Sequence, residues 1–340
     1  MKKRDPDLLL FHAPLLRQGM TTPKTMRDVL YALLPATLAS MLFFGLSAVL
    51  VLGSCIAGAV LTEWFFASND ETRGESLRDA SGILTGLLLG LTLPPGLPLW
   101  MAFLGGVVAI SLGKIIWGGL GHNLFNPALL GRAFLLATFP IAMTTWVSAT
   151  GEGGFFSIYD SNLALPFMQA PVDGMSSATP LGLMKFEQQV TPLTNLMLGK
   201  TTGSLGETSG LLLILGGIYL WLRRALDWRI PVSILLTVVV FSFVLGFFDA
   251  ARFPAPLFSV FSGGLLLGAI YMATDPVTSP LTPKGAWIFG IGTGVLVMLI
   301  RVFGGLPEGV MYAILLMNAA TPLIDRYTQP RVFGRGTEEQ

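Results

Sequence analysis

Apolar residues in this 340-residue chain gather into long runs separated by short polar intervals. A helix needs about 20 such residues to cross about 30 Å of hydrocarbon. That ruler predicts spans near 27–44, 46–67, 79–93, 98–117 and 125–147, then 209–224, 230–248, 256–273, 285–302 and 308–325. The expected fold is an all-α integral membrane protein with about ten transmembrane helices in two groups of five. The expected divisions are an N-terminal segment 1–26, a first five-helix unit 27–147, a polar loop 148–208, a second unit 209–325 and a tail 326–340. The basic N-terminus is followed by polar-leaning residues before the first apolar run, so that run reads as a mature span rather than a cleaved signal.

The halves echo one another. Gly86-Leu-Leu-Leu-Gly90 recurs as Gly264-Leu-Leu-Leu-Gly268, and Gly118-Gly119-Leu120 as Gly304-Gly305-Leu306. Five spans is an odd number, so a second copy lies upside down; inverted repeats place functional sites between the copies. The third span ends in Leu93-Pro94-Pro95-Gly96-Leu97-Pro98 and the eighth in Thr274-Asp275-Pro276. Proline breaks a helix, and broken backbone at membrane depth must be satisfied by protein or by a polar cavity. These segments are either ordinary helix ends or the walls of a polar pathway.

Composition agrees with lipid as the solvent. Hydrophobic residues make up 52% and charged residues 12%, against about a quarter charged in soluble domains, and mean hydropathy is +0.68. A net charge of +1 without a basic stripe points to no nucleic-acid partner. Two histidines, His12 and His122, and the single Cys55 are too few for an iron–sulfur cluster or a zinc site on this chain alone. Cys55 reads as a packing residue. With the N-terminus in the cytoplasm, the inside collects Lys2, Lys3, Arg4, Arg17, Lys24, Arg27, Arg73, Arg78, Lys114, Arg223, Arg224, Arg229, Lys284, Arg326, Arg331 and Arg335. The outside holds only Lys185, Lys200, Arg252 and Arg301. This asymmetry predicts cytoplasmic termini and an outward 148–208 loop.

Three stretches are more polar than packing requires. Gly121-His122-Asn123-Leu124-Phe125-Asn126-Pro127 leads into a span that carries Arg132. Asn126 suits an N-cap ahead of Pro127, but capping leaves Asn123 and Arg132 unexplained, and a buried Arg needs a partner. Asp79 either caps the third span or accepts a hydrogen bond from a ligand. Asp275 is the carboxylate at membrane depth to test for ion coupling. The outward loop contains Asp173-Gly174-Met175-Ser176-Ser177-Ala178-Thr179, which by its residues alone is a small surface turn presenting hydroxyls.

That loop carries a resemblance. With Leu91-Thr92-Leu93-Pro94-Pro95 and Asn123-Leu124-Phe125-Asn126-Pro127, it makes the whole chain resemble the family of Rnf electron-transport D subunits and sodium-translocating NADH:quinone reductase B subunits. In that family an Asp-x-x-Ser-(Gly/Ser)-Ala-Thr loop accepts FMN from a flavin transferase, through a phosphodiester to the Thr hydroxyl. The resemblance implies covalent FMN on Thr179, with Asp173, Ser176 and Ser177 forming the recognition turn; Ser177 stands where many members have Gly. It also implies a non-covalent riboflavin, for which Asn123 and Asn126, then Asp79 and Arg132, are the candidates. It further implies a urea-transporter-like fold of two inverted halves in a bacterial inner membrane. The implied partners are other Rnf subunits, among them a second covalent-flavin subunit and small membrane subunits. The function expected is electron transfer in a ferredoxin:NAD+ oxidoreductase coupled to Na+ or H+ movement. The alternatives are the quinone-reductase counterpart, a channel or transporter for a small polar solute on the same fold, and a cofactor-free scaffold.

Overall fold

The computed structural model describes residues 21–67, 79–147, 155–156, 158–166, 178–199, 201–207, 209–249, 253 and 255–329. Among these residues all regular structure is helical. Three helices among the described residues are long and apolar enough to cross a membrane: α1 (Thr22–Phe66), α6 (Arg229–Phe248) and α8 (Pro283–Phe303). Shorter apolar helices are α2 (Ser81–Leu91), α3 (Leu99–Ile110), α4 (Pro127–Thr138) and α5 (Gly210–Leu222); the short α7 (Pro256–Phe261) and the more polar α9 (Val310–Thr328) also matter for the site. Large apolar side chains face outward, with Leu42 76%, Phe65 71% and Phe248 82% exposed, as a lipid-facing surface requires.

The spans expected at 27–44 and 46–67 are the two legs of α1, which breaks at Gly45 (φ 65°, ψ −147°). Only glycine reaches that conformation without strain. The break does not orphan the chain, because the Leu46 N–H donates to the Phe155 carbonyl at 2.8 Å and the Tyr159 N–H to Ser47 Oγ at 3.0 Å.

Two expected spans are interrupted. The run 125–147 stops as a helix at Thr138 and resumes only as Pro140–Thr144. Pro140 lacks an N–H and pushes Phe139 out of the helical region, to φ −127°, ψ 58°. The run 256–273 splits into α7, a turn at Leu265–Leu267 and a π-helical turn Gly268–Met272. Gly263, at φ 68°, makes the corner. The carbonyls of Ser259 and Ser262 at this break are taken by the Arg301 guanidinium, at 2.6 and 2.9 Å.

The short α2, about 16 Å long at 1.5 Å per residue, ends at the Pro94-Pro95 segment. Its backbone is satisfied by protein. Asn162 Nδ2 donates to the carbonyls of Pro95 and Leu97 (2.9 and 2.8 Å), Ser161 Oγ to Gly96, and the Leu205 N–H to Leu93. The matching segment after Met272 is held likewise, with Thr278 Oγ1 donating to Asp275 and Thr321 Oγ1 to the Thr278 carbonyl.

Both halves pack in one order: the second leg of α1 lies on α3 and α3 on α4, while α6 lies on α8 and α8 on α9. Glycines allow the close approaches. A Cβ on Gly86 would stand 2.6 Å from Ile56 Cα, and one on Gly90 2.7 Å from a Leu52 methyl. In lipid, where apolar burial drives helices together weakly, such backbone contact is a main source of packing energy. Gly86→Val is therefore expected to destabilise the fold by about 1–3 kcal/mol, read as a lower unfolding midpoint in detergent.

Candidate functional site

Thr179 is the N-cap of a single turn, Pro180–Gly182. Its backbone is extended (φ −69°, ψ 155°), the residue is half-buried between exposed Ala178 and buried Pro180, and its hydroxyl oxygen accepts the Gly182 N–H at 3.1 Å. Pro180 fixes the next residue, so the hydroxyl is presented on a constrained backbone. Asp173, Ser176 and Ser177 lie outside the described residues. A π-helical turn, Leu183–Glu187, comes next. Its Lys185 reaches the end of α8 and donates to the carbonyls of Arg301, Gly304 and Leu306, at 2.9, 2.5 and 3.0 Å. Partial burial lowers the Lys185 pKa from its ordinary value.

The other predicted site residues do not converge on one pocket. Asn126 is fully engaged in the fold. Its Oδ1 caps α4 through the N–H groups of Ala128 and Leu129, and its Nδ2 donates to the Met272 carbonyl at 3.1 Å. Asn123 makes only long local bonds, to Gly121 and Phe125. It shares with Asn126 a crevice of about 70 Å3 between the halves, which Thr274 and Asp275 also line. Small-molecule pockets run from about 300 Å3 upward, so this crevice, closed as it stands, does not fit a flavin ring. Asp79 accepts the first N–H of α2, that of Ser81, at 2.8 Å, while Ala80 holds the N-cap position. Asp275 is occupied by its own turn, accepting from Val277 and Thr278.

Arg132 finds the partner its burial demands: Nη2 pairs with Glu308 Oε2 at 3.0 Å. Glu308 Oε1 takes the Gly264 N–H at 2.6 Å, and Ser204 Oγ donates to Glu207 Oε1 at 2.8 Å. Both carboxylates stand over Gly264, and Arg301 feels both. Burial and the neighbouring Glu308 raise the Glu207 carboxyl to about 8. A second buried group joins Lys114 to Glu63 and to Ser81 Oγ, the latter at 2.6 Å. Lys114 and Arg301, counted above as inside and outside charges, are thus both buried. The sequence reading passed over Glu63, Glu207 and Glu308. A signal was present, because each adjoins or interrupts an apolar run, where an ionisable residue needs a partner.

Glu308→Gln strands the Arg132 guanidinium and is expected to cost about 3–5 kcal/mol, measured by thermal unfolding in detergent. Glu207→Gln replaces a carboxyl that is already protonated near neutrality. Between about 4.5 and about 8 the folded wild type keeps a proton that the unfolded chain releases. Wild-type stability therefore falls through this group as pH rises across that window, and the Gln variant lacks that slope.

Residues 10–334 match the model of the NQR2, RnfD, RnfE family. The chain is 41% identical, over 95% of both chains, to the D subunit of the proton-translocating ferredoxin:NAD+ oxidoreductase complex of Clostridium ljungdahlii. It is 42% identical, over 92% of both, to the D subunit of the ion-translocating oxidoreductase complex of Stutzerimonas stutzeri. It is 38% identical, over 96% of both, to the D subunit of the Na+-translocating ferredoxin:NAD+ oxidoreductase complex of Acetobacterium woodii. With the match running almost end to end, this chain belongs to the NQR2, RnfD, RnfE family.

Proposed function

We propose that the chain is the D-type membrane subunit of an ion-translocating ferredoxin:NAD+ oxidoreductase, passing electrons through an FMN esterified to Thr179. Near-full-length likeness to subunits so named supports the complex. Coupling to Na+ or H+ movement, an outward-facing loop in a bacterial inner membrane, and assembly with a second covalent-flavin subunit and small membrane subunits belong to the same proposal. So does the arrangement of the two halves as inverted, urea-transporter-like repeats, which their common packing order supports.

The observation that carries the flavin reading is the Thr179 hydroxyl, held at an N-cap on a half-buried side chain at the end of the Asp173–Thr179 run. Bound there, the flavin would supply reversible electron acceptance. The chain's own residues supply placement. Thr179 Oγ1 offers the ester oxygen, and the Gly182 N–H and Pro180 restrain it. The loop around it is fastened to both halves, by Asn162 on the Pro95–Leu97 backbone and by Lys185 on the end of α8. Fixed placement of this kind sets the distance to an electron donor. A non-covalent riboflavin beside Asn123 would require the crevice between the halves to open, and no step is assigned to it.

On a denaturing gel, the wild-type band is expected to show flavin fluorescence and its intact mass one FMN increment, both lost in Thr179→Ala. A wild-type chain of unmodified mass from the intact complex overturns the redox reading. If that colourless protein conducts a small polar solute such as urea, the transporter takes its place.

A further inference from the structure

Beside the Thr179 turn lies a cavity of about 410 Å3, within the range of small-molecule sites. Its walls mix apolar and polar surface, with apolar side chains contributed by several elements: Met184 and Phe186 from the π turn, Leu245 from α6, Phe258 from α7 and Met298 from α8. Lys185 and Arg301 also line it. Both cations are held by backbone carbonyls rather than carboxylates among the described residues, and Arg301 Nε is buried without a hydrogen-bond partner. The nearby acids do not cancel this charge fully. Glu308 is engaged by Arg132 and the Gly264 N–H, and Glu207 holds a proton near neutrality. A slot with aromatic and thioether walls and two cations suits a flat aromatic group that becomes negative. Leu181, two residues beyond Thr179, forms part of the wall.

We infer that this cavity seats the isoalloxazine ring carried on Thr179, with Arg301 and Lys185 placed to offset the negative charge of its reduced form. The inference rests on Thr179 as the point of attachment. A ring that takes up two electrons and one proton gains one negative charge. A cation close by in a low-dielectric slot favours that form and raises the midpoint potential. The aromatic and thioether walls of Phe186, Phe258 and Met298 supply stacking surface for the ring faces.

The test uses the flavinylated full chain in detergent, with fluorescence anisotropy for ring mobility and a dye-mediated dithionite titration for potential. Ser242, on α6, lines the cavity beside Met298, to whose Sδ its hydroxyl donates at 3.8 Å, so Ser242→Phe fills the space from a residue outside the attachment turn. Wild type is expected to show at least twice the anisotropy of the same flavin on the urea-unfolded chain, and Ser242→Phe to fall toward the unfolded value. Lys185→Gln is expected to weaken the hold on the reduced anion about tenfold, which lowers the midpoint by about 30 mV. Arg301→Met is expected to lower it further; because Arg301 also supports a broken helix, the Lys185 variant carries the decision if that protein does not fold. A wild-type ring as mobile as in urea, or a midpoint unmoved in Lys185→Gln, overturns the seat. Band fluorescence on a denaturing gel separates the two readings, because it stays equal in all variants when only the seat is wrong. A colourless wild-type band removes the attachment itself.

Discussion

The structure depends on a polar seam between its halves. The N-terminal stretch of α4 and the middle of α9 meet through the Asn126 N–H, which donates to the Asn318 side-chain oxygen at 3.0 Å with that amide oriented by its partners. Farther along, Arg132 meets Glu308, just ahead of α9. As numbers rise on α4 they fall on α9, so the two segments run antiparallel with a polar bond near each end of the contact. Lipid gives helices little hydrophobic reason to associate. Hydrogen bonds and one buried ion pair therefore have unusual weight in deciding which faces meet. The Asn126 amide adds a third bond, to Met272 in the π turn of the second half.

Irregular helix recurs where contacts must be aimed. The described residues contain three π-helical turns, Ser111–Ile115, Leu183–Glu187 and Gly268–Met272. The first points Lys114 at Glu63, the second carries Lys185 to the end of α8, and the third offers the Met272 carbonyl to Asn126. An extra residue in a turn rotates the chain beyond it and frees a carbonyl, and such turns gather at functional sites. Here they mark the places where a polar side chain or carbonyl crosses between elements.

Much of the fold was legible in the chain because span length and proline position are local properties. The expected boundary between the first two spans falls on Gly45, where α1 breaks, and the runs 209–224 and 230–248 match α5 and α6 closely. The interruptions inside 125–147 and 256–273 were not read, because apolar content stays high across Phe139-Pro140 and Ser262-Gly263-Gly264 while hydrogen bonding fails there. The site was legible at Arg132, whose need for a partner follows from burial alone, but the identity of that partner is a long-range fact 176 residues away. Asn126 illustrates the converse. Its amide looked available for a ligand in sequence, and the fold spends both of its ends on backbone.

The loop bearing Thr179 is stapled on one side to the first half and on the other to the second. Alternating-access carriers work by rocking one repeat against the other around a fixed site. A swing of the Thr179 turn away from α8 would have to break the bonds of Lys185 to the carbonyls of Arg301, Gly304 and Leu306. The turn is thus moored to α8, and its position follows that helix.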